Sequence, residues 1–321
     1  MDPLSHLLSL YPVRTALDVR CRFGAPWVLD HPGTPSGVAP YHLIVRGEAL
    51  ADGAHGTDGA PLALHSGDIL VFPHGGAHRL HLGDAAKASP LQTSPGLLRY
   101  EHNNGDGPQT DILCGEFHFD ADGSAGLLAA LPPVLLVRTA GRPDAQSLRH
   151  LLRMLQEEAE TPRSGSEAIL RQLASALFAL LIRTWLEQAL TVPGLFGVLA
   201  ERRLQAALNG MLTAPEKPWT LEELADASHM SRATFARLFK QAAGATPADV
   251  LTQLRMARAA RLLDAGRAAG EVSEAVGYQS EAAFNRAFKR QYGMGPGAYR
   301  KLAAGASISK SEVGSATQGK I

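Results

Sequence analysis

Cysteine is scarce in this chain: Cys21 and Cys114 are the only two in 321 residues. Two thiols are too few for the disulfide framework of a secreted domain, which excludes that class. Net charge is missing as well. With 31 Lys+Arg against 31 Asp+Glu the formal charge is +0, so the whole-chain value names no partner. No apolar run reads as long enough to span a bilayer, and the opening MDPLSHLLSLYPVR lacks the basic start and long apolar stretch of a secretory signal. A cytoplasmic protein with no membrane partner is expected. What is present is ordinary for a globular chain, 45% apolar and 19% charged residues, and the length allows two domains, each with its own core.

The zero charge hides a split. Residues 1–201 hold 14 basic against 21 acidic residues, a balance near −7, whereas residues 202–301 hold 15 against 9, near +6. An asymmetry of this kind points to a nucleic-acid partner confined to the basic part. That part also contains an internal repeat. SRATFARLFKQAAGATP from Ser231 returns as SEAAFNRAFKRQYGMGP from Ser280, 49 residues later, matching at Ser, Ala, Phe, Arg, Phe, Lys, Gly and Pro.

Each repeat reads as a helix-turn-helix. Thr220 with Glu223 fits a capping box, so a helix is expected to run to about Ala227, and Ser231 is a natural N-cap for the next one. In that second helix Phe235, Leu238 and Phe239 share a face, leaving Ser231, Arg232, Ala233, Ala236, Arg237 and Lys240 outward. In the other repeat Phe284, Ala287 and Phe288 turn inward, and Ser280, Glu281, Asn285, Arg286 and Lys289 face out. Short side chains edged with cations suit a major groove. Between the repeats PADVLTQLRMARAARLLDAG reads as one straight helix. At about 18 residues it would span about 27 Å, placing two reading heads on successive major grooves of double-stranded DNA.

Residues 199–301, with PWTLEELADASHMSRATFARLFKQAAGATP and VSEAVGYQSEAAFNRAFKRQYGMGPGAYR, resemble the DNA-binding domain of the AraC/XylS-type transcription regulators. The resemblance implies a sequence-specific DNA-binding regulator, an activator that works with RNA polymerase.

The first half reads differently. From Tyr41 to about Phe119 short apolar, β-branched segments alternate with Gly, Asp, Pro and Asn clusters, favouring a small antiparallel barrel or sandwich. GDILVFPHGGAHRL resembles the second cupin motif through Gly67, Pro73, Gly75 and His78. In YHLIVRGE, His42 and Glu48 match the first motif while Ile44 replaces its second histidine. His42, Glu48 and His78 are therefore the candidate metal or ligand residues, against the plainer reading of barrel histidines in ordinary hydrogen bonds. No cofactor is expected. Two helical stretches follow, over about 144–190. The second, with Ile169, Leu173, Leu177, Leu180, Leu181 and Trp185, carries more apolar surface than one thin stripe needs. The surplus either pairs with a second copy in a homodimer or buries within the monomer.

The expected fold is α+β in two domains: a cupin-like sensor domain over 1–190, with its barrel about 1–140, a linker at 191–198, an all-α double helix-turn-helix domain over 199–301, and a disordered tail over 302–321. From composition alone both cysteines read as small hydrophobes, although Arg20 and Arg22 beside Cys21 would lower its pKa and favour the thiolate. The domain order and the N-terminal stretch, with the CG of the later strand, are similar to AraC-type regulators that respond to reactive chlorine species. This resemblance implies that Cys21 and Cys114 form a disulfide on oxidation. The segment KASPLQTSPGLLRYEHNNGDG is longer than that pattern, and the strand's second cysteine is replaced in the region of Asp111. Two other readings remain open at this stage: a regulator with a small organic ligand in the barrel, and a metal-dependent cupin enzyme carrying a DNA-binding domain.

Overall fold

The computed structural model describes residues 1–53, 60–119, 125–189, 192 and 194–302. The chain forms two compact units, one built from residues 12–121 and 127–192, the other from residues 1–11, 122–126 and 193 onward. It opens with α1 (Pro3–Leu10), capped by the Asp2 carboxylate, which accepts from the Ser5 amide.

The first unit is β-rich. Its strands are β1 (Val13–Gly24), β2 (Trp27–His31), β3 (Val38–Arg46), β4 (Glu48–Asp52), β5 (Leu62–His65), β6 (Ile69–Val71), β7 (His78–Leu82), β8 (Gln92–Ser94), β9 (Arg99–His102), β10 (Gln109–Phe119) and β11 (Leu135–Val137). A short helix α2 (Ala125–Ala129) precedes β11, and α3 (Gln146–Glu160) and α4 (Ser166–Gln188) follow it. One sheet runs β11-β6-β3-β10-β1-β9-β8 and a second β2-β7-β4-β5; among these pairs only β1 and β9 are parallel. Between them lies a core of Val19, Cys21, Phe23, Trp27, Ile44, Leu64, Phe72, Leu80, Ile112 and Cys114. The cupin-like architecture stands, but β1 and β2 precede the segment in which strands were expected. A bulge between Leu17 and Val19 shifts the pairing of β1 with β10, which interrupts the period of two and disguises the longest strand.

β10 is the hinge of this packing. Ile112 and Cys114 face the interior, while the alternate residues Phe117 and Phe119 meet Phe178 of α4 at ring distances of 5.1 and 5.4 Å. Gly115 is required here. A Cβ would lie 2.1 Å from the Ala16 carbonyl oxygen and 2.6 Å from the Tyr41 hydroxyl, which donates to that carbonyl. α4 corrects one expectation, since by length and composition it is apolar enough to cross a membrane, with mean hydropathy 1.4. It packs on β1, β11 and α3 and buries Leu177, Phe178, Leu181 and Trp185 there, as a core helix does. Leu173 and Leu180 are half-buried and Ile169 is exposed.

The second unit is helical: α5 (Gly194–Ala200), α6 (Gln205–Thr213), α7 (Leu221–Ala227), α8 (Arg232–Ala243), α9 (Pro247–Asp264), α10 (Ala269–Ala275), α11 (Glu281–Tyr292) and a last helical stretch over 296–302. Of the linker 191–198 the described part is mostly α5, whose Leu195, Phe196, Val198 and Leu199 are buried, because an apolar run of this kind gains more by packing than by staying in solvent. Residues 303–321 of the tail lie outside the described residues. Residues 1–11 group with the helices of the second unit. Leu7 is buried, Arg261 donates to the Ser9 carbonyl, and His6 Nδ1 lies 3.2 Å from Asn209 Oδ1.

Leu7→Ala is expected to cost about 2–5 kcal/mol. Hydrogen exchange should quicken in α6 and α9 and stay unchanged in β10; equal protection in all three would show that α1 contributes no packing energy.

Candidate functional sites

Two sets of side chains stand out, one buried in the β-rich unit and one on the surface of the helical unit. The buried set follows from strand register. β10 lies between β1 and β3, with Cys114 opposite Val19 on one side and opposite His42 on the other, and Cys21 two residues along β1 opposite Ile112. Cys114 is thereby flanked by a thiol and an imidazole. The two cysteines lie 4.1 Å apart as free thiols, and Cys114 Sγ is 3.1 Å from His42 Nδ1. His42 Nε2 meets His78 Nε2 at 2.7 Å, and His78 Nδ1 meets the Gly76 carbonyl at 2.8 Å. A carbonyl only accepts, so His78 carries its hydrogen on Nδ1 and, being neutral, offers a bare Nε2 to the His42 Nε2–H. His42 Nδ1 is then bare and accepts from the Cys114 thiol.

The electrostatics agree with this direction. Burial holds His42 well below the ordinary histidine range, with smaller contributions from His78 and His31, and burial lowers His78 to about 4. Cys21 is pushed well up by its hydrogen bond with Cys114 and by burial, the reverse of the effect expected from Arg20 and Arg22. Strand alternation is the reason: the flanking arginines point away from the core. Arg22 makes two hydrogen bonds to Asp111, at 3.0 and 3.2 Å, and Arg20 lies 3.5 Å from Glu160.

The candidate metal or ligand set is not assembled. His42 and His78 meet, but Glu48 is exposed, because β4 turns Ala49 and Ala51 inward instead. The two nitrogens that a cation would use are spent on each other, and among the described residues no group of three or more His, Cys, Asp or Glu is arranged to hold a metal. His31, unremarked in the sequence, belongs to the cluster: it pairs with His78 across β2 and β7, and their rings stack at 4.7 Å. Only strand pairing reveals this, since no motif contains it.

In the helical unit the capping box of Thr220 and Glu223 is present, and Ser231 and Ser280 accept from the Thr234 and Ala283 amides. Gly244 and Gly293 end α8 and α11 at φ of 68° and 73°, a conformation that favours glycine at equivalent points of both repeats. A second capping box, Thr246 with Asp249, starts α9, which runs unbroken for 18 residues. Phe235, Phe239, Phe284, Ala287 and Phe288 are buried, and Leu238 is half-buried. Ser231, Arg232, Ala233, Arg237, Lys240, Ser280, Glu281, Asn285, Arg286 and Lys289 are exposed, with Ala236 half-buried. Four cations elsewhere in the unit are paired with carboxylates, in Arg203–Glu201, Lys217–Glu223, Arg258–Glu216 and Arg267–Glu271. Among the described residues Arg232, Arg237, Lys240, Arg286 and Lys289 make no salt bridge, which leaves their charge for an anionic partner.

Comparison with known proteins agrees with both halves. A cupin family model matches residues 2–187 and a helix-turn-helix model residues 224–302. The chain is 31% identical over 94% of its length to the RCS-specific HTH-type transcriptional activator RclR of Escherichia coli, covering 98% of that protein. It is likewise 31% identical, over 94% of its length, to the HTH-type transcriptional regulator MtrA of Neisseria gonorrhoeae, covering 98% of it. A crystal structure of the DNA-binding domain of AdpA with a target DNA is similar at 33% identity, covering 31% of this chain and 91% of that one, with a TM-score of 0.30. The chain belongs to the AraC-type transcription regulators with an N-terminal cupin domain. It is a DNA-binding regulator, and its relatives are named as regulators rather than enzymes.

Arg237→Ala or Arg286→Ala is expected to weaken specific DNA binding by about 1–3 kcal/mol and, where a phosphate contact is lost, to lower the salt slope by about 1. Fluorescence anisotropy across a salt series measures both, and full affinity at physiological salt would show the groove-facing register to be wrong. The buried histidines carry a stability prediction. Their folded pKa values are depressed, so above pH 6.5 both states are neutral, and below it the unfolded chain binds protons that the folded one refuses. Stability of the β-rich unit should fall as pH drops from 6.5 toward 4, and His78→Gln should flatten the denaturation midpoint over that window.

Proposed function

We propose that this regulator is an oxidant-responsive transcriptional activator that senses hypohalous acids through Cys21 and Cys114. The observation that carries the reading is their juxtaposition: the chain's two cysteines, 93 residues apart in sequence, lie 4.1 Å apart on adjacent strands of one buried core. The two sit diagonally across the strand pair, offset by two residues, a spacing of about 7–8 Å between Cα atoms at the edge of the roughly 7 Å that a disulfide tolerates, so closing the bond takes a small backbone shift as well as side-chain rotation. The resemblance to an activator named for reactive chlorine species supports the same reading. A route for the signal is available in the covalent chain, since β1, which carries Cys21, continues through Pro12 into α1, a helix of the DNA-binding unit.

The partners of this reading are promoter DNA, engaged by α8 and α11 in successive major grooves, and RNA polymerase. The half-exposed stripe of Ile169, Leu173 and Leu180 on α4 favours pairing with a second copy. The alternative of an organic ligand anchored by His42 and His78 finds less support. The cavity of about 780 Å³ in the β-rich unit is lined by β1, residues 96–98, His118 and α4, and neither histidine borders it.

The test is promoter transcription in vitro with hypochlorous acid, alongside non-reducing peptide mapping. A Cys21–Cys114 linkage should appear together with rising transcription, and Cys21→Ser and Cys114→Ser should each abolish the response while retaining DNA binding. An undiminished response in either variant would rule out the thiol pair as sensor.

A further inference from the structure

We propose that Cys114, not Cys21, is the thiol that meets the oxidant, with His42 Nδ1 as its proton acceptor, and that Cys21 is the resolving thiol. The inference deepens the oxidant-sensing reading and rests on it. It starts from an asymmetry that strand pairing imposes: Cys114 on the middle strand has a bare imidazole nitrogen 3.1 Å from its sulfur, whereas the hydrogen-bond partner of Cys21 is the Cys114 thiol. The direction of the hydrogen-bond chain is fixed at its far end by the Gly76 carbonyl, which leaves His42 Nδ1 with a lone pair aimed at Cys114. Accessibility agrees, since Cys114 retains 7% exposure and Cys21 none.

The groups facing this chain are few. His78 from β7 and His31 from β2 flank His42, with the Phe72 ring stacked on His78 and edge-on to His42, and Cys114 beyond. Glu101 and Arg99 of β9 act on Cys21 in opposite senses. No cation of the set touches either sulfur, and His42 Nδ1 is the base placed to draw off the Cys114 proton. The hydrogen-bond chain leaves that imidazole a free lone pair on Nδ1, and because burial lowers its basicity the proton stays there only while the S–Cl bond forms.

The chemistry balances with a hypohalous acid as oxidant. The Cys114 proton passes to His42 Nδ1 as sulfur attacks the halogen of HOCl. The S–Cl bond forms, the O–Cl bond breaks, and the departing hydroxide takes the proton back from His42 to give water. Sulfur has lost two electrons to chlorine. Cys21 sulfur then attacks Cys114 sulfur. The S–S bond forms, chloride leaves with the bonding pair, and the Cys21 proton departs to water. In sum, two thiols and HOCl give a disulfide, water, chloride and a proton. In this order the less accessible thiol never has to meet an oxidant.

The experiment uses the full chain in quenched-flow oxidation with hypochlorous acid, the sulfenic acid formed by hydrolysis of the sulfenyl chloride being trapped with dimedone and quantified by mass spectrometry. In Cys21→Ser, Cys114 should be trapped at the rate of thiol loss in the wild type. In Cys114→Ser, Cys21 should react at least about 10-fold more slowly. Adding His42→Gln to Cys21→Ser should slow trapping at Cys114 by about 100-fold and flatten its pH profile, which a merely structural role would leave in place. The comparison of the two serine variants does not depend on His42→Gln folding. If the wild type forms no Cys21–Cys114 linkage, the sensing reading falls with this one. If the linkage forms but Cys21 reacts as fast as Cys114, or His42→Gln leaves both rate and profile unchanged, the assignment alone is overturned.

Discussion

The register of β10 between β1 and β3 is the constraint on which the β-rich unit depends. Because side chains alternate with a period of two, a slip of one residue would turn Ile112 and Cys114 out of the core and bring Leu113 and Phe117 in. It would remove Cys114 from both Cys21 and His42, and strip α4 of the aromatic surface on which Phe178 sits. One register thus sets the core, the helix packing and the thiol–imidazole contact together. Gly115 secures it from within, at a point where the Ala16 carbonyl and the Tyr41 hydroxyl leave no room for a Cβ.

The helical unit rests on a different economy. Its apolar repeat, Phe235 with Phe239 and Phe284 with Phe288, buries one face each of α8 and α11, and short caps at both ends stop the helices at equivalent points. Packing takes the inward positions and leaves the outward cations out of the core. Cations that hold the unit together are consumed by carboxylates or carbonyls, as when the Arg255 guanidinium donates to the carbonyls of Pro215 and Lys217. Those on α8 and α11 are not. That division leaves the charge of α8 and α11 on the surface.

Much of this half was legible beforehand, since the information is local. A capping box, an i, i+3, i+4 face and a twice-written helix each occupy a few consecutive residues, and the structure returns them with boundaries close to those expected. The β-rich half was legible only in outline. β1 was disguised by its bulge. The cupin-motif residues His42 and His78 did meet, but Glu48 was carried outward by the alternation of β4, and His31 entered from a strand whose partner no motif announced. The arginines beside Cys21 misled for the same reason: sequence neighbours on a strand point to opposite faces, so adjacency there is separation.

The sequence by itself determined the family, the double helix-turn-helix, the polarity of its two repeats and the identity of the two cysteines, because each is written in residue type and short-range spacing. Tertiary structure alone decided that the cysteines are neighbours, that Cys114 rather than Cys21 holds the imidazole, that the histidines spend their nitrogens on one another, and that α1 belongs with the DNA-binding helices. Those facts depend on which strands and helices lie side by side. Such pairings are settled by burial and hydrogen bonding over the whole unit, and no short stretch of the chain encodes them.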